Sequence, residues 1–233
     1  MTEYPMDHSC SSCIIRTHLL FRHLDEEELQ DISLKMITET YKRGSIVYRE
    51  GKQMKGFYCV QSGIIKIYKT GFDGKEQIVR FAKPGDLIGY RSVVSNEAAC
   101  TTAELLQEGT LCHIPTDKLL YLVKTNGNFA VELMKLTCKE LGEANAYITD
   151  IAQKTVKERL AEILIHLDKE FGTDEEGVLN ISLTREELSN IVGTATESII
   201  RLLSEFKNDG SIKLKGRKIK ILDKPGLKHI ANI

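Results

Sequence analysis

The sequence is short of net charge, of long apolar runs and of catalytic signatures. Its formal net charge is −1 over 233 residues, so no global basic field draws the chain to polyanions, and nucleic-acid contact would have to come from local clustering. No stretch approaches the roughly eighteen apolar residues of a membrane helix, and the N-terminal MTEYPMDHSCSSC lacks the apolar core of a signal peptide. A cytoplasmic location with no membrane partner is therefore expected. The six histidines, at 8, 18, 23, 113, 166 and 229, are scattered, with no pair at metal-ligand spacing inside the β-rich region. Neither a G-x-S-x-G elbow nor a phosphate-binding glycine loop with lysine occurs. These absences weigh against a metal-binding cupin and against an enzyme in general. Internal repeats and low-complexity tracts are also missing.

What is present suggests two modest domains, each able to bury its own core. Six cysteines in a cytoplasmic chain are more often thiols or ligands than disulfides. Cys59, Cys100, Cys112 and Cys138 sit among apolar neighbours, where inert packing is the default. A short helix is expected from about Leu24 to Met36, entered through Asp25 and an acidic first turn. From Tyr41 to about Pro115 the texture changes to short alternating runs cut by glycines, the signature of an all-β roll or barrel. The "FDG" at residues 72 to 74 marks a hairpin.

Beyond Pro115 the pattern is helical. From about Asn128 to Ile151, Met134, Thr137, Leu141, Ala144, Ile148 and Ile151 recur at the 3-4 spacing of a coiled-coil seam, which predicts self-dimerisation along one long helix. A further helix is expected over residues 154 to 170. The expected fold is α+β in two domains: an N-terminal, jelly-roll-like β-roll in residues 1–125, a long dimerisation helix in 126–152 and a winged helix-turn-helix in 153–233.

The C-terminal end carries the functional signal. LTREELSNIVGTATESIIRLLSEFKNDG carries the pattern of two capping boxes, Thr184 with Glu187 and Thr194 with Glu197. Gly193 lies between them, as a sharp turn requires. The first helix is expected to bury Leu188, Ile191 and Val192, and the second Ile199, Leu202, Leu203 and Phe206. The opposite side of the second helix then carries Glu197, Arg201 and Ser204, flanked by Thr196 and Ile200. In a major groove arginine donates to guanine, glutamate accepts from cytosine, and an apolar tip touches the thymine methyl. The next segment, SIKLKGRKIKI, is an alternating hairpin with Ile212, Leu214, Ile219 and Ile221 inward and Lys213, Lys215, Arg217, Lys218 and Lys220 left to meet phosphates. From Arg201 to Lys228 nine Lys/Arg stand against three Asp/Glu. The residues expected at double-stranded DNA are Thr184, Arg185, Thr194, Thr196, Glu197, Ser198, Ile200, Arg201, Ser204, Lys215, Arg217 and Lys218. The bland alternative is a solvated face on which Glu197 and Arg201 pair with each other.

Taken together, SLTREELSNIVGTATESIIRLLSEFKNDGSIKLKGRKIKI resembles the winged-helix end of the CRP/FNR family of bacterial transcription regulators. GFYCVQSGIIKIYKTGFDGKEQIVRFAKPGDLIGY is similar to that family's cyclic-nucleotide-binding-type roll, and the order of roll, long helix and winged helix matches as well. The resemblance implies a homodimer on a near-palindromic operator, with half-sites about one helical turn apart. It also implies that Glu197 and Arg201 read a G·C pair, and that the roll touches RNA polymerase. Thr196 stands where the cAMP receptor branch has arginine and the FNR branch an apolar residue. Ile200 stands at a specificity position where the FNR branch has serine. Half-sites containing TTG or TG are thus implied, with the outer base open.

The signal is less determined. Cyclic-AMP-binding members carry a Gly-Glu pair and a later Arg-Ser or Arg-Thr pair that anchors the phosphate. Here Tyr90 replaces the glutamate, Ala99-Cys100 falls where the arginine would stand, and Ala144 and Asn145 occupy the adenine-facing positions, so cAMP is not expected. The candidate effector pocket is Gly89, Tyr90, Arg91, Cys100, Thr101, Thr102 and Asn145, with Arg91 a displaced substitute anchor. Iron–sulfur members use three N-terminal cysteines and one in the roll. Cys10, Cys13 and Cys112 match three of these, His8 is a substitute donor, and Leu19 stands where the third cysteine would be. An iron–sulfur cluster, another metal, a thiol pair, haem, an unidentified small ligand and constitutive binding all stay open.

Overall fold

The computed structural model describes residues 20–233, which divide into two compact units: residues up to 70 together with 79–142, and residues 71–78 together with 143–233. His8, Cys10 and Cys13 lie outside the described residues.

The first unit opens with α1 (Glu26–Lys35). Asp25 caps it by accepting from the Glu28 N–H at 2.8 Å while Glu28 returns the bond to the Asp25 N–H at 3.0 Å. Eight strands follow: β1 (Ile37–Tyr41), β2 (Ile46–Tyr48), β3 (Gly56–Val60), β4 (Ile65–Thr70), β5 (Glu76–Ala82), β6 (Leu87–Ile88), β7 (Thr102–Leu105) and β8 (Gly109–Pro115). They form two four-stranded sheets ordered β1-β8-β3-β6 and β2-β7-β4-β5, a jelly-roll-like β-roll. A short α2 (Tyr90–Ser95) interrupts the strands, α3 (Thr116–Thr125) follows them, and α4 (Gly127–Gln153) starts in this unit and ends in the second.

Strand alternation builds two cores from one sheet. Successive residues of β3 and β8 point to opposite faces. Phe57, Cys59, Cys112 and Ile114 meet Leu119, Leu122, Phe129 and Leu133 of the helices. Val60 and Leu111, on the other face, pack with Ile65, Ile67, Ala103 and Leu105 of the second sheet. Cys59 and Cys112 are register partners on adjacent strands, both within the apolar core.

Helix α4 runs unbroken from Gly127 to Gln153. It buries Phe129 and Leu133, yet leaves Met134, Leu141, Ile148 and Ile151 exposed at 62, 60, 65 and 39%. Thr137 is half-buried, its hydroxyl donating to the Leu133 carbonyl at 2.9 Å, and Ala144 is exposed. A seven-residue apolar repeat without cover on a helix this long is the pattern of a coiled-coil strand.

The second unit is a winged helix. It contains α5 (Val156–Phe171), α6 (Arg185–Val192), α7 (Thr196–Asn208), β9 (Ile212–Lys215), β10 (Lys218–Ile221) and α8 (Lys224–Ala231). Leu160 and Leu164 of α5, Leu188 of α6, Ile199, Leu203 and Phe206 of α7, and Leu227 of α8 are buried to 1% exposure or less. At about 1.5–3 kcal/mol for each large side chain buried, this apolar cluster is the dominant force holding the helices together. Among the described residues no helix is long and apolar enough to cross a membrane.

Candidate nucleic-acid interface

The interface begins with how α6 ends. Thr184 starts that helix with the expected capping box: its hydroxyl accepts from the Glu187 N–H at 3.0 Å, and Glu187 accepts from the Thr184 N–H at 2.6 Å. Gly193 closes it in the left-handed conformation, φ 72°, where a Cβ would sit 3.0 Å from Ile151 Cδ1. Three residues later α7 begins.

The second capping box does not form. The N-cap of α7 is Ala195, with no side-chain cap. The turn is too tight for Thr194 to serve: its N–H donates back to the Ser189 carbonyl at 3.1 Å, which makes it part of the α6 terminus. Thr196 begins α7 instead, and its hydroxyl pairs with that of Ser189 at 3.0 Å.

Several side chains that the sequence pattern did not single out hold this turn. Arg159 of α5 donates from Nε to the Val192 carbonyl at 2.9 Å and from Nη2 to the Gly193 carbonyl at 3.4 Å, placing a cation where the α6 dipole ends negative. Tyr147 donates to the Ile191 carbonyl at 3.1 Å. Gln77 donates to the Tyr147 hydroxyl at 2.7 Å and to the Asn190 carbonyl, and Lys75 donates to the Thr194 carbonyl at 2.9 Å. Nothing in the spacing of these residues marks them, because each acts on a backbone carbonyl far away in sequence.

The turn sets which side of α7 is outward. Ile199, Leu202, Leu203 and Phe206 are buried as expected, and Glu197, Ile200, Arg201 and Ser204 are exposed, Ile200 at 50%. Thr196 and Ser198 are half-buried at the edge of this face. Glu197 and Arg201 do not pair with each other. Arg201 Nη1 reaches forward to Glu205 Oε1 at 3.0 Å, and Ser204 donates back to the Ile200 carbonyl at 2.9 Å. The Arg201–Glu205 pair is exposed, the kind worth about 0.3–0.5 kcal/mol. Breaking this pair therefore costs Arg201 little.

The wing follows directly. β9 and β10 pair with Lys215 opposite Lys218, so only Gly216 and Arg217 form the loop. Gly216 has φ 61° and Arg217 keeps a negative φ, the geometry of a II′ hairpin turn. Lys213, Lys215, Arg217 and Lys218 are exposed around this tip, while Ile212 and Ile219 are buried and Leu214 and Ile221 half-buried beneath it. Two of the basic residues expected near DNA also bond within this unit. Lys220 donates to the Glu176 carbonyl at 2.6 Å. Arg185 donates from Nη2 to the Gly216 carbonyl at 3.0 Å, and its Nη1 is buried without a partner. Burial alone lowers the Arg185 pKa. Arg185 therefore orients the wing, tying the start of α6 to the hairpin tip.

The expected effector residues are only partly brought together. Gly89 caps α2 with φ 80°. Tyr90 is buried at 2% exposure, with its hydroxyl beside Thr137 and Glu140 of α4 but short of hydrogen-bond geometry; burial first, and then Glu140, pushes the phenol pKa up. Arg91 is exposed and donates to Cys100 Sγ at 2.8 Å. Thr102 accepts from the Glu50 N–H at 3.0 Å, and Thr101 lies against Tyr48. Asn145 is exposed on α4 in the second unit. A buried neutral phenol and an arginine turned to a thiol do not make a phosphate anchor, so cyclic nucleotide does not fit these residues.

Of the residues matched to the iron–sulfur pattern, Cys112 lies among the described residues. Cys112 is 1% exposed in the apolar core, its sulfur 3.5 Å from the Thr38 hydroxyl. No group of three or more His, Cys, Asp or Glu side chains among the described residues could hold a metal ion.

Comparison with known proteins agrees with this layout. Residues 38–126 match the cyclic nucleotide-binding domain, and residues 158–230 match the Crp-like helix-turn-helix domain. The chain is 30% identical over 229 residues to the fumarate and nitrate reduction regulatory protein of Yersinia pestis, covering 95% of this chain and 90% of that protein. The corresponding protein of Escherichia coli strain K12 is 29% identical over the same shares. Among solved structures, a CRP/FNR-family transcriptional regulator of Thermus thermophilus superposes with a TM-score of 0.71 at 26% identity, over 84% of this chain and 99% of that one. A turn that exposes one polar face of α7, a basic two-residue wing and this similarity over 95% of the chain identify it as a member of the CRP/FNR family of transcription regulators.

Proposed function

We propose that the chain works as a cytoplasmic homodimer that grips a near-palindromic DNA operator, one α7 in each major groove. The observation that carries this reading is the exposed set Glu197, Ile200, Arg201 and Ser204 on a helix whose other side is fully buried. Arg201 and Glu197 read a G·C pair, Ile200 touches a base through apolar contact, and Thr196 and Ser198 lie at the edge of the same face. Lys215, Arg217 and Lys218 hold backbone phosphates, and Thr184 and Thr194 bound the turn that orients α7. Half-sites containing TG or TTG fit this set.

The exposed repeat Met134, Leu141, Ile148 on α4 supplies the dimer seam, and two-fold symmetry then spaces the half-sites about 34 Å apart. A signal that shifts the seam moves the recognition helices in or out of groove register, and contact with RNA polymerase turns occupancy into regulation. The signal is not cAMP, since Tyr90 and Arg91 leave no phosphate anchor. Ile148→Asp tests the seam. Sedimentation of the variant is expected to give a monomer whose affinity for a two-half-site duplex falls to that for a single half-site. A variant that stays dimeric and binds normally would remove the seam from the account.

A further inference from the structure

We propose that Gln77 and Tyr147 are positioning residues for sequence reading: they hold the turn between α6 and α7 by its backbone carbonyls, and the selectivity of α7 depends on them although neither touches DNA. The inference rests on the operator reading above.

An α-helix leaves its last four carbonyls without intrahelical partners. In α6 these belong to Ser189, Asn190, Ile191 and Val192. The Gly193 and Thr194 N–H groups meet the first, at 2.9 and 3.1 Å. Each carbonyl from Asn190 to Thr194 is met by a side chain from elsewhere in the second unit: Asn190 by Gln77, Ile191 by Tyr147 at 3.1 Å, Val192 and Gly193 by Arg159, and Thr194 by Lys75. A run of consecutive carbonyls is therefore fixed from outside α6 and α7.

Gln77 and Tyr147 act together. Residues 71–78 belong to the second unit, although the sequence on either side forms strands of the first. From there the half-buried Gln77 amide donates to the Asn190 carbonyl and, at 2.7 Å, to the Tyr147 hydroxyl, whose own proton goes to Ile191. The pair thus spans two neighbouring carbonyls. Tyr147 stands one residue before Ile148 on α4, and a Cβ at Gly193 would lie 3.0 Å from Ile151 Cδ1. The helix that carries the exposed apolar repeat meets the turn at two points, one polar and one apolar.

α7 gains little orientation from its own start, since its N-cap, Ala195, has no side-chain cap. Its buried stripe decides which face points out, but apolar packing is non-directional. Hydrogen bonds prefer angles above about 150° at the proton, so they fix rotation and translation as well. Base reading demands that, because a recognition side chain has to be held within about 0.5 Å of its productive place. Phosphate contacts from the exposed Lys215 and Lys218 carry no sequence information. Loosening the turn therefore costs specific binding and spares non-specific binding.

The test uses the full chain. Tyr147→Phe deletes one oxygen and keeps the ring, and Gln77→Met removes the amide at similar length. Each is expected to weaken binding to the selected two-half-site duplex by about ten-fold while affinity for a random-sequence duplex stays within about two-fold. The slope of log affinity against log salt is expected to stay unchanged, since no phosphate contact is lost. Without DNA, amide hydrogen exchange over residues 190–200 is expected to accelerate in both variants, and exchange in β3 and β4 to stay as it was. Equal losses on the two duplexes, a flattened salt slope, natural selectivity in both variants or unchanged exchange over residues 190–200 would each overturn the inference. A natural chain without preference among duplexes would instead overturn the operator reading, and this inference with it.

Discussion

The winged helix and the β-roll are built on the same alternation of buried and exposed residues, but they use their exposed sides differently. On α7 every outward residue is polar or charged except Ile200, and Arg201 has only an exposed carboxylate to leave. In the roll the unusual residues point inward: Tyr58, Tyr48, Tyr90 and His113 are neutral groups at positions an aliphatic core would fill. A surface that reads DNA has to advertise itself to solvent, and so can be found from helical periodicity. The interior of a roll is shaped by which side chains meet across it, and periodicity shows only that a residue faces in.

The sharpest way to break this comparison is to remove the support under the reading face. Phe206→Ala should destabilise the second unit by about 3–5 kcal/mol, seen as a lowered denaturation midpoint together with loss of specific binding. Retained specificity would mean that α7 is held by something other than its buried stripe. Next in size, Arg201→Ala should lose about 1–3 kcal/mol on the cognate duplex and relax preference at a single base pair. Uniform weakening on all sequences would reduce Arg201 to a phosphate contact. Lys215→Ala should do the converse, weakening every sequence alike and flattening the slope of log affinity against log salt by about one unit.

The smallest effect belongs to the roll. Burial lowers the His113 pKa, with Glu39 pulling weakly the other way. As pH falls through the unfolded value of about 6.5, the unfolded chain takes up this proton before the folded one, so native stability declines toward acid. His113→Gln should remove that part of the decline in urea melts run between pH 7 and pH 5. An unchanged slope would show that the imidazole is solvated in the folded state.

Much of the architecture was legible in the chain because it rests on local rules. The Asp25 start of α1, the Thr184 capping box, the Gly193 turn, the α7 stripe and the basic hairpin each follow from a few adjacent residues. The second capping box failed because capping competes with helix termination: Thr194 has the right neighbours, but the close of α6 takes its backbone N–H. Arg185 also bonds the Gly216 carbonyl 31 residues away, which a linear reading cannot see. Arg159, Tyr147, Gln77 and Lys75 were missed for the same reason. Each bonds a backbone carbonyl between 33 and 119 residues away, and carbonyls carry no sequence signature.

Everything in the proposed function requires that α7 read base edges as one of a symmetric pair. The decisive experiment is selection of bound duplexes from a randomised pool by the full-length protein, followed by sequencing. Two inverted half-sites carrying a TG step are expected, with centres about one helical turn apart, and the selected G·C pair should be lost when Arg201→Ala replaces the natural chain. A pool that emerges without enrichment, or a single unrepeated motif indifferent to Arg201, would contradict it.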